Sequence, residues 1–188
     1  MVDPLVQDES FYILRKYQGQ IIFWGKKDAA FPFGAQVGPD WYCMLVTYGL
    51  IFVSSYFFIV NVCDDWGLGL IIPAILTSSV LLISFTFTAC SNPGIIFESK
   101  EDRVESGSDE TLLDCTMCNI KRPATSYHCY DCGVCVSHLD HHCPWTGKCI
   151  GRDNIKYFHA FLTLLSAQIA FVVVMTIVSV ATGKDIYN

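Results

Sequence analysis

Between Cys115 and Cys149 the chain concentrates seven of its ten cysteines and four of its five histidines. The stretch reads CTMCNIKRPATSYHCYDCGVCVSHLDHHCPWTGKC. Three Cys-x2-Cys steps, Cys115/Cys118, Cys129/Cys132 and Cys132/Cys135, are interleaved with His128, His138, His141 and His142, which are the residue types and spacing of closed zinc sites. A structural zinc takes four ligands, so two sites take eight; six cysteines and two histidines fill them and leave one cysteine over. Spacing alone does not identify that cysteine. The run Asp140-His141-His142-Cys143 nevertheless sets a thiol beside two imidazoles and a carboxylate, the neighbours that turn a thiol into a nucleophile.

The rest of the chain must hold this stretch in place, and its composition points to a membrane. Hydrophobic residues make up 52% of the 188 residues and the mean hydropathy is +0.39, both high for a soluble domain. Residues 41–63 are free of charge, and at the helical rise they reach about 34 Å against a hydrocarbon core of about 30 Å. A polar turn at 64–67 and a second charge-free run, 68–90, predict an antiparallel pair of transmembrane helices. Pro73 lies near the start of the second, where a helix tolerates it, and Ser91-Asn92-Pro93-Gly94 ends it. Residues 157–183 form a third apolar run, followed by a short end at 184–188. The fold class expected is therefore a mainly α-helical membrane protein: three transmembrane helices, with a cysteine-rich two-zinc module (115–156) between the second and third.

Residues 1–40 mix basic side chains with aromatics and turn formers. Two β-prone pieces, 20–24 and 31–37, predict a hairpin at the membrane surface with its rings at headgroup level, or in contact with substrate or lipid. No apolar run suited to a secretory signal follows the basic residues. Residues 91–114 are expected to be an acidic linker. From 98 to 114 they hold seven acidic and two basic side chains without apolar periodicity, the composition of a solvated tether; phosphorylation at Ser106 or Ser108 is the alternative role. Eleven of the twelve Lys and Arg residues fall on the side of the membrane that holds residues 1–40 and the 91–156 loop, so the positive-inside rule faces the module to the cytosol. A reducing compartment also suits metal-bound thiolates better than disulfides. The net charge of −6, with no basic arm, leaves no nucleic-acid reading.

Several fixed offsets resemble one family. Cys115-x2-Cys118, Arg122-Pro123, His128-Cys129-x2-Cys132-x2-Cys135, Asp140-His141-His142-Cys143-Pro144-Trp145 and Cys149-Ile150-Gly151-x2-Asn154-x3-Phe158 are similar to the cysteine-rich domain of the DHHC (Asp-His-His-Cys) protein S-acyltransferases. That resemblance implies one zinc held by Cys115, Cys118, His128 and Cys135, and a second held by Cys129, Cys132, His142 and Cys149. Both are structural. It also implies ping-pong transfer of a palmitoyl-type acyl group from acyl-coenzyme A to Cys143, and from there to cysteines of substrate proteins near the membrane. His141 is then the base and Asp140 its orienting carboxylate, unless the two only buttress the second zinc.

A long acyl chain gains about 0.8 kcal/mol per buried methylene, which explains why such chemistry is done between membrane helices. Gln168, deep in the third run, is expected to face the bundle, either bonding a neighbouring helix or closing the acyl cavity. Lys121, Arg122, Lys148 and Arg152 are candidates for the coenzyme's phosphates or for anionic lipid headgroups. His138 has no place among the eight ligands.

Some positions depart from the family pattern. Asn92 stands for the usual Asp, Thr125 for the usual Arg, and Gly147-Lys148 for Asn residues before Cys149. The family's fourth span and its Thr-Thr-x-Glu tail are not in this sequence, so a partner chain completing the bundle is expected, or a truncated form. The competing readings are a membrane-anchored zinc-binding scaffold and an inactive partner subunit. The family resemblance leaves the organelle open among Golgi, endoplasmic reticulum and plasma membrane.

Overall fold

Where the sequence offers long charge-free runs, the chain is helical. The computed structural model describes residues 12–17, 19–26, 29, 31–63, 66–96 and 112–183. Helix α1 spans Trp41–Phe58 and continues as a π-helical turn over Ile59–Cys63; α2 spans Leu68–Cys90 and α3 Ile155–Ala181. All three are long and apolar enough to cross a membrane. The fold class expected from the sequence is the one observed, with the cysteine–histidine module lying between α2 and α3. The Asp64-Asp65 pair, Ser106, Ser108 and Lys184 lie outside the described residues.

Within the π turn, Asn61 Nδ2 donates back to the Phe57 carbonyl at 2.8 Å, which satisfies its amide inside the apolar run. Large side chains cover the outer faces, among them Leu50 (61% exposed), Phe52 (65%) and Leu68 (71%), surface that is costly in water and suited to lipid tails.

Two apolar layers hold the helices together. Near the module, Met44 and Ile51 of α1, Leu81, Phe85 and Ala89 of α2 and Phe161 of α3 form one cluster. Phe85 is fully buried, with Tyr48 edge-on at 4.7 Å and Phe161 at 5.0 Å. Towards the other end, Phe58, Val62, Leu70 and Ala74 pack with Phe171 and Met175. Tyr48 and Thr86 share a hydroxyl hydrogen bond of 2.8 Å that ties α1 to α2.

The two β-prone pieces of the N-terminal segment pair antiparallel as expected, and a strand the sequence reading did not place extends them to a three-stranded sheet. Its strands are β1 (Tyr12–Tyr17), β2 (Gln20–Gly25) and β3 (Ala35–Val37), with β2 central. Strand β3 starts late because Phe31–Phe33 form a turn. Phe31 meets Phe87 of α2 edge-on at 4.9 Å, anchoring the sheet to the helix end.

The module itself is three hairpins: β4 (Leu112–Cys115) with β5 (Ile120–Pro123), β6 (Ser126–Cys129) with β7 (Val134–Ser137), and β8 (His141–Cys143) with β9 (Lys148–Ile150). Residues just after α2 belong to this unit and not to a tether, which corrects the linker expected from 91 onward. Asn92 Oδ1 accepts from the backbone N–H of Gly94 (2.8 Å) and Ile95 (2.9 Å), a turn that an Asp would form equally well. Ile95 then bridges to Val136, and the Ile96 N–H donates to the Cys135 carbonyl.

Candidate metal centres and reactive thiol

Strand alternation distributes the chemistry. In β6, His128 and Cys129 are neighbours in sequence and so face opposite sides. His128 lies opposite Cys135 on β7, and these two join Cys115 and Cys118 in one donor set. Cys129 joins Cys132, His142 and Cys149 in the other. The same parity operates in β8: His142, paired across the hairpin with Cys149, points to the second set, so His141 and Cys143 share the opposite face. Tight turns supply the remaining ligands, with Asn119 (φ 53°) and Gly133 (φ 66°) in the left-handed region.

The donor atoms fit a metal. Within each set they all lie within 4.8 Å of one another. In the first, His128 Nδ1 is 3.2 Å from Cys118 Sγ and 3.7 Å from Cys115 Sγ, and Cys135 and Cys118 sulfurs are 3.7 Å apart. In the second, His142 Nδ1 is 3.6, 3.3 and 3.8 Å from the sulfurs of Cys129, Cys132 and Cys149. A tetrahedral ion with Zn–S of about 2.3 Å and Zn–N of about 2.0 Å separates its ligands by about 3.5–3.8 Å. All seven thiols of the module are free, so no disulfide competes for them.

The electrostatics agree with the distances. Hydrogen bonding from Cys132 and Cys149 holds Cys129 far below an ordinary thiol, while bonding to the Cys129 thiolate pushes Cys132 up to about 12. Burial, with the Cys115 and Cys118 sulfurs beside it, pushes Cys135 up. Packed thiols of this kind resist sharing negative charge, and a divalent cation removes the conflict.

Cys143 is the module thiol left outside both sets, and it is 8% exposed. On its face of β8, His141 Nδ1 meets Asp140 Oδ2 at 2.7 Å. The ring nitrogen Nδ1 then donates, and Nε2 is left as the basic atom. Phe158 of α3 lies edge-on to His141 at 5.3 Å, fixing the ring from the membrane side. The turn Pro144–Thr146 that follows Cys143 rests on α1, where Thr47 Oγ1 donates to the Trp145 carbonyl at 2.9 Å.

The basic residues do not form one group. Lys148 is fully buried in β9; its Nζ donates to the Gln36 carbonyl at 2.6 Å and the Ser91 carbonyl at 2.5 Å. Burial pulls it down to about 7, against the nearby thiols that raise it. It is therefore a strut between the sheet, α2 and the module, and is removed from the candidates for phosphate contact. Arg122 Nη1 donates to the Ser126 carbonyl, and Arg152 pairs with Asp153 at 2.8 Å. Lys121 is exposed, as is His138. Gln168 is 8% exposed and its Nε2 donates to Ser78 Oγ of α2 at 3.2 Å, so it faces the seam between two helices.

One residue escaped the sequence reading. Asp40, which directly precedes the first apolar run, puts Oδ2 2.8 Å from His142 Nε2 across 102 residues of sequence. The only signal was its type and place: an aspartate just before a helix ordinarily reads as a cap.

Residues 109–187 match the family model described as DHHC palmitoyltransferase. The chain is 32% identical to palmitoyltransferase ZDHHC17 of Rattus norvegicus over 136 residues, which is 69% of this chain and 22% of that protein. It is 31% identical to palmitoyltransferase ZDHHC4 of Mus musculus over 156 residues, 77% of this chain and 45% of that protein. With palmitoyltransferase ZDHHC8 of Canis lupus familiaris it shares 32% over 172 residues, 81% of this chain and 22% of that protein. The chain thus spans less than half the length of these relatives. Residues 109–187, which hold both donor sets and the Asp140–Cys143 strand, thus carry the domain that the family model describes as DHHC palmitoyltransferase.

Proposed function

We propose that this chain is a protein S-acyltransferase that carries a palmitoyl-type group on Cys143. The carrying observation is a free thiol outside two complete donor sets, on the strand face that also bears the Asp140–His141 pair. His141 Nε2 takes the proton of Cys143; the thiolate sulfur bonds to the acyl carbon of acyl-coenzyme A, the carbon–sulfur bond to the coenzyme breaks, and the leaving thiolate recovers the proton. A substrate cysteine repeats the exchange, so the acyl group leaves and Cys143 regains its thiol. Asp140 accepts from Nδ1, keeps the useful tautomer and stabilises the charged ring.

Cys115, Cys118, His128 and Cys135 would hold one zinc, and Cys129, Cys132, His142 and Cys149 the other. Closed four-ligand sites supply folding free energy, roughly 10 kcal/mol or more each. The basic side chains favour a cytosolic module, where acyl-coenzyme A and protein cysteines near the membrane are both within reach. The helices would receive the acyl chain, and Lys121 stands nearest to a free role with coenzyme phosphates or lipid headgroups.

The test is intact-mass analysis after incubation with palmitoyl-coenzyme A. One hydroxylamine-labile acyl adduct per chain, lost in Cys143→Ser, is expected. No adduct, or one that survives the substitution, would reject the assignment and favour a scaffold.

A further inference from the structure

The carboxylate of Asp40 has been diverted from the work its position suggests. Asp40 is the N-cap residue of α1, where an aspartate normally accepts from the first backbone N–H groups of its helix; here it makes no such bond. Its Oδ2 instead meets His142 Nε2 at 2.8 Å, and its Oδ1 accepts from Tyr42 Oη at 3.1 Å. His142 is thereby held at both ring nitrogens, since Nδ1 lies among the three sulfurs of its set. A metal on Nδ1 leaves the ring proton on Nε2, so Nε2–H donates to the carboxylate and fixes both tautomer and ring plane.

The contact also crosses from one part of the molecule to another. Asp40 begins the first membrane-crossing helix, whereas His142 sits in β8 between His141 and Cys143. Two further bonds run in parallel: the Asp40 N–H donates to the Gly147 carbonyl, and Thr47 Oγ1 to that of Trp145. A Cβ at Gly38 would run into the Gly147 carbonyl, so the approach is as close as the backbones allow. The other donor set lacks this feature. Among the described residues no carboxylate pairs with His128, whose ring meets Tyr130 edge-on at 5.0 Å.

We propose that Asp40 is a positioning residue that orients the metal ligand His142 and, through it, fixes the reactive strand against the start of α1. The inference rests on the two-zinc reading above, with the His128 set serving as an internal reference.

Zinc release from the purified holoprotein to a chromophoric chelator, together with single-turnover acylation of Cys143, tests it. In Asp40→Ala, one of two zinc equivalents is expected to leave roughly 10-fold faster or more, the range typical of lost partners to metal-bound histidine, while the other keeps the wild-type rate. Acylation should slow without a change in the half-saturating acyl-coenzyme A concentration, and Asp40→Glu should restore part of both losses. Asp40→Asn, which is isosteric, carries the same test if Asp40→Ala does not fold. Equal acceleration at both sites, or at neither, would overturn the inference while leaving the two-zinc reading standing. Fewer than two zinc ions in the wild type would remove both.

Discussion

The buried ammonium of Lys148 donates to the carbonyl of Ser91, joining β9 of the module to the residue that ends the second membrane-crossing helix. A second bond, to Gln36, brings in the N-terminal sheet, so one side chain closes three elements. Removing it takes a charged donor from two buried carbonyls, at about 1–3 kcal/mol each. Lys148→Met is therefore expected to lower the thermal midpoint clearly while leaving the acyl-coenzyme A dependence unchanged. A raised half-saturation without lost stability would restore Lys148 to the coenzyme.

Cys143→Ser should keep two zinc ions per chain and lose the acyl adduct, because this thiol lies outside both donor sets. Metal analysis beside intact mass separates the two effects. Loss of zinc in this variant would mean that the spare cysteine lies elsewhere.

His141→Ala is expected to slow adduct formation by roughly 10²-fold or more, the scale of a lost general base, with metal content intact. The measurement is a single-turnover time course. A normal rate would reduce the Asp140–His141 pair to a structural support.

Gln168→Ala should cost about 1 kcal/mol of stability, the usual worth of a bond between membrane helices, because its amide is already engaged by Ser78. The acyl chain-length profile is expected to stay the same. A shift towards longer acyl chains, read from competing acyl-coenzyme A substrates, would place Gln168 at the end of the cavity.

The parts most legible in the sequence were those written in residue type and period. A run without charge has few fates other than a membrane helix, and Cys-x2-Cys steps have few other than metal. Tertiary partners were not legible in this way. Strand β1 escaped because Arg15 and Lys16 interrupt its apolar residues, and only pairing with β2 makes it a strand. Lys148 read as a surface charge because nothing near it in sequence announces the Gln36 and Ser91 carbonyls. Asp40 and His142 lie 102 residues apart, so neither predicts the other. The Cys143 assignment needs the family's pattern; strand parity in β8 puts the thiol on the face away from the second donor set.

The two donor sets overlap along the chain: one runs from Cys115 to Cys135 and the other from Cys129 to Cys149, so the β6–β7 hairpin serves both. Filling either site therefore pre-arranges half of the other, and the ordering cost of the shared hairpin is met once. By the same sharing, the hairpin stays held while either ion remains, so release from one site leaves the other site formed. Such a module gives way in steps, so that a cell short of zinc would hold one-ion molecules, still partly braced, beside complete ones.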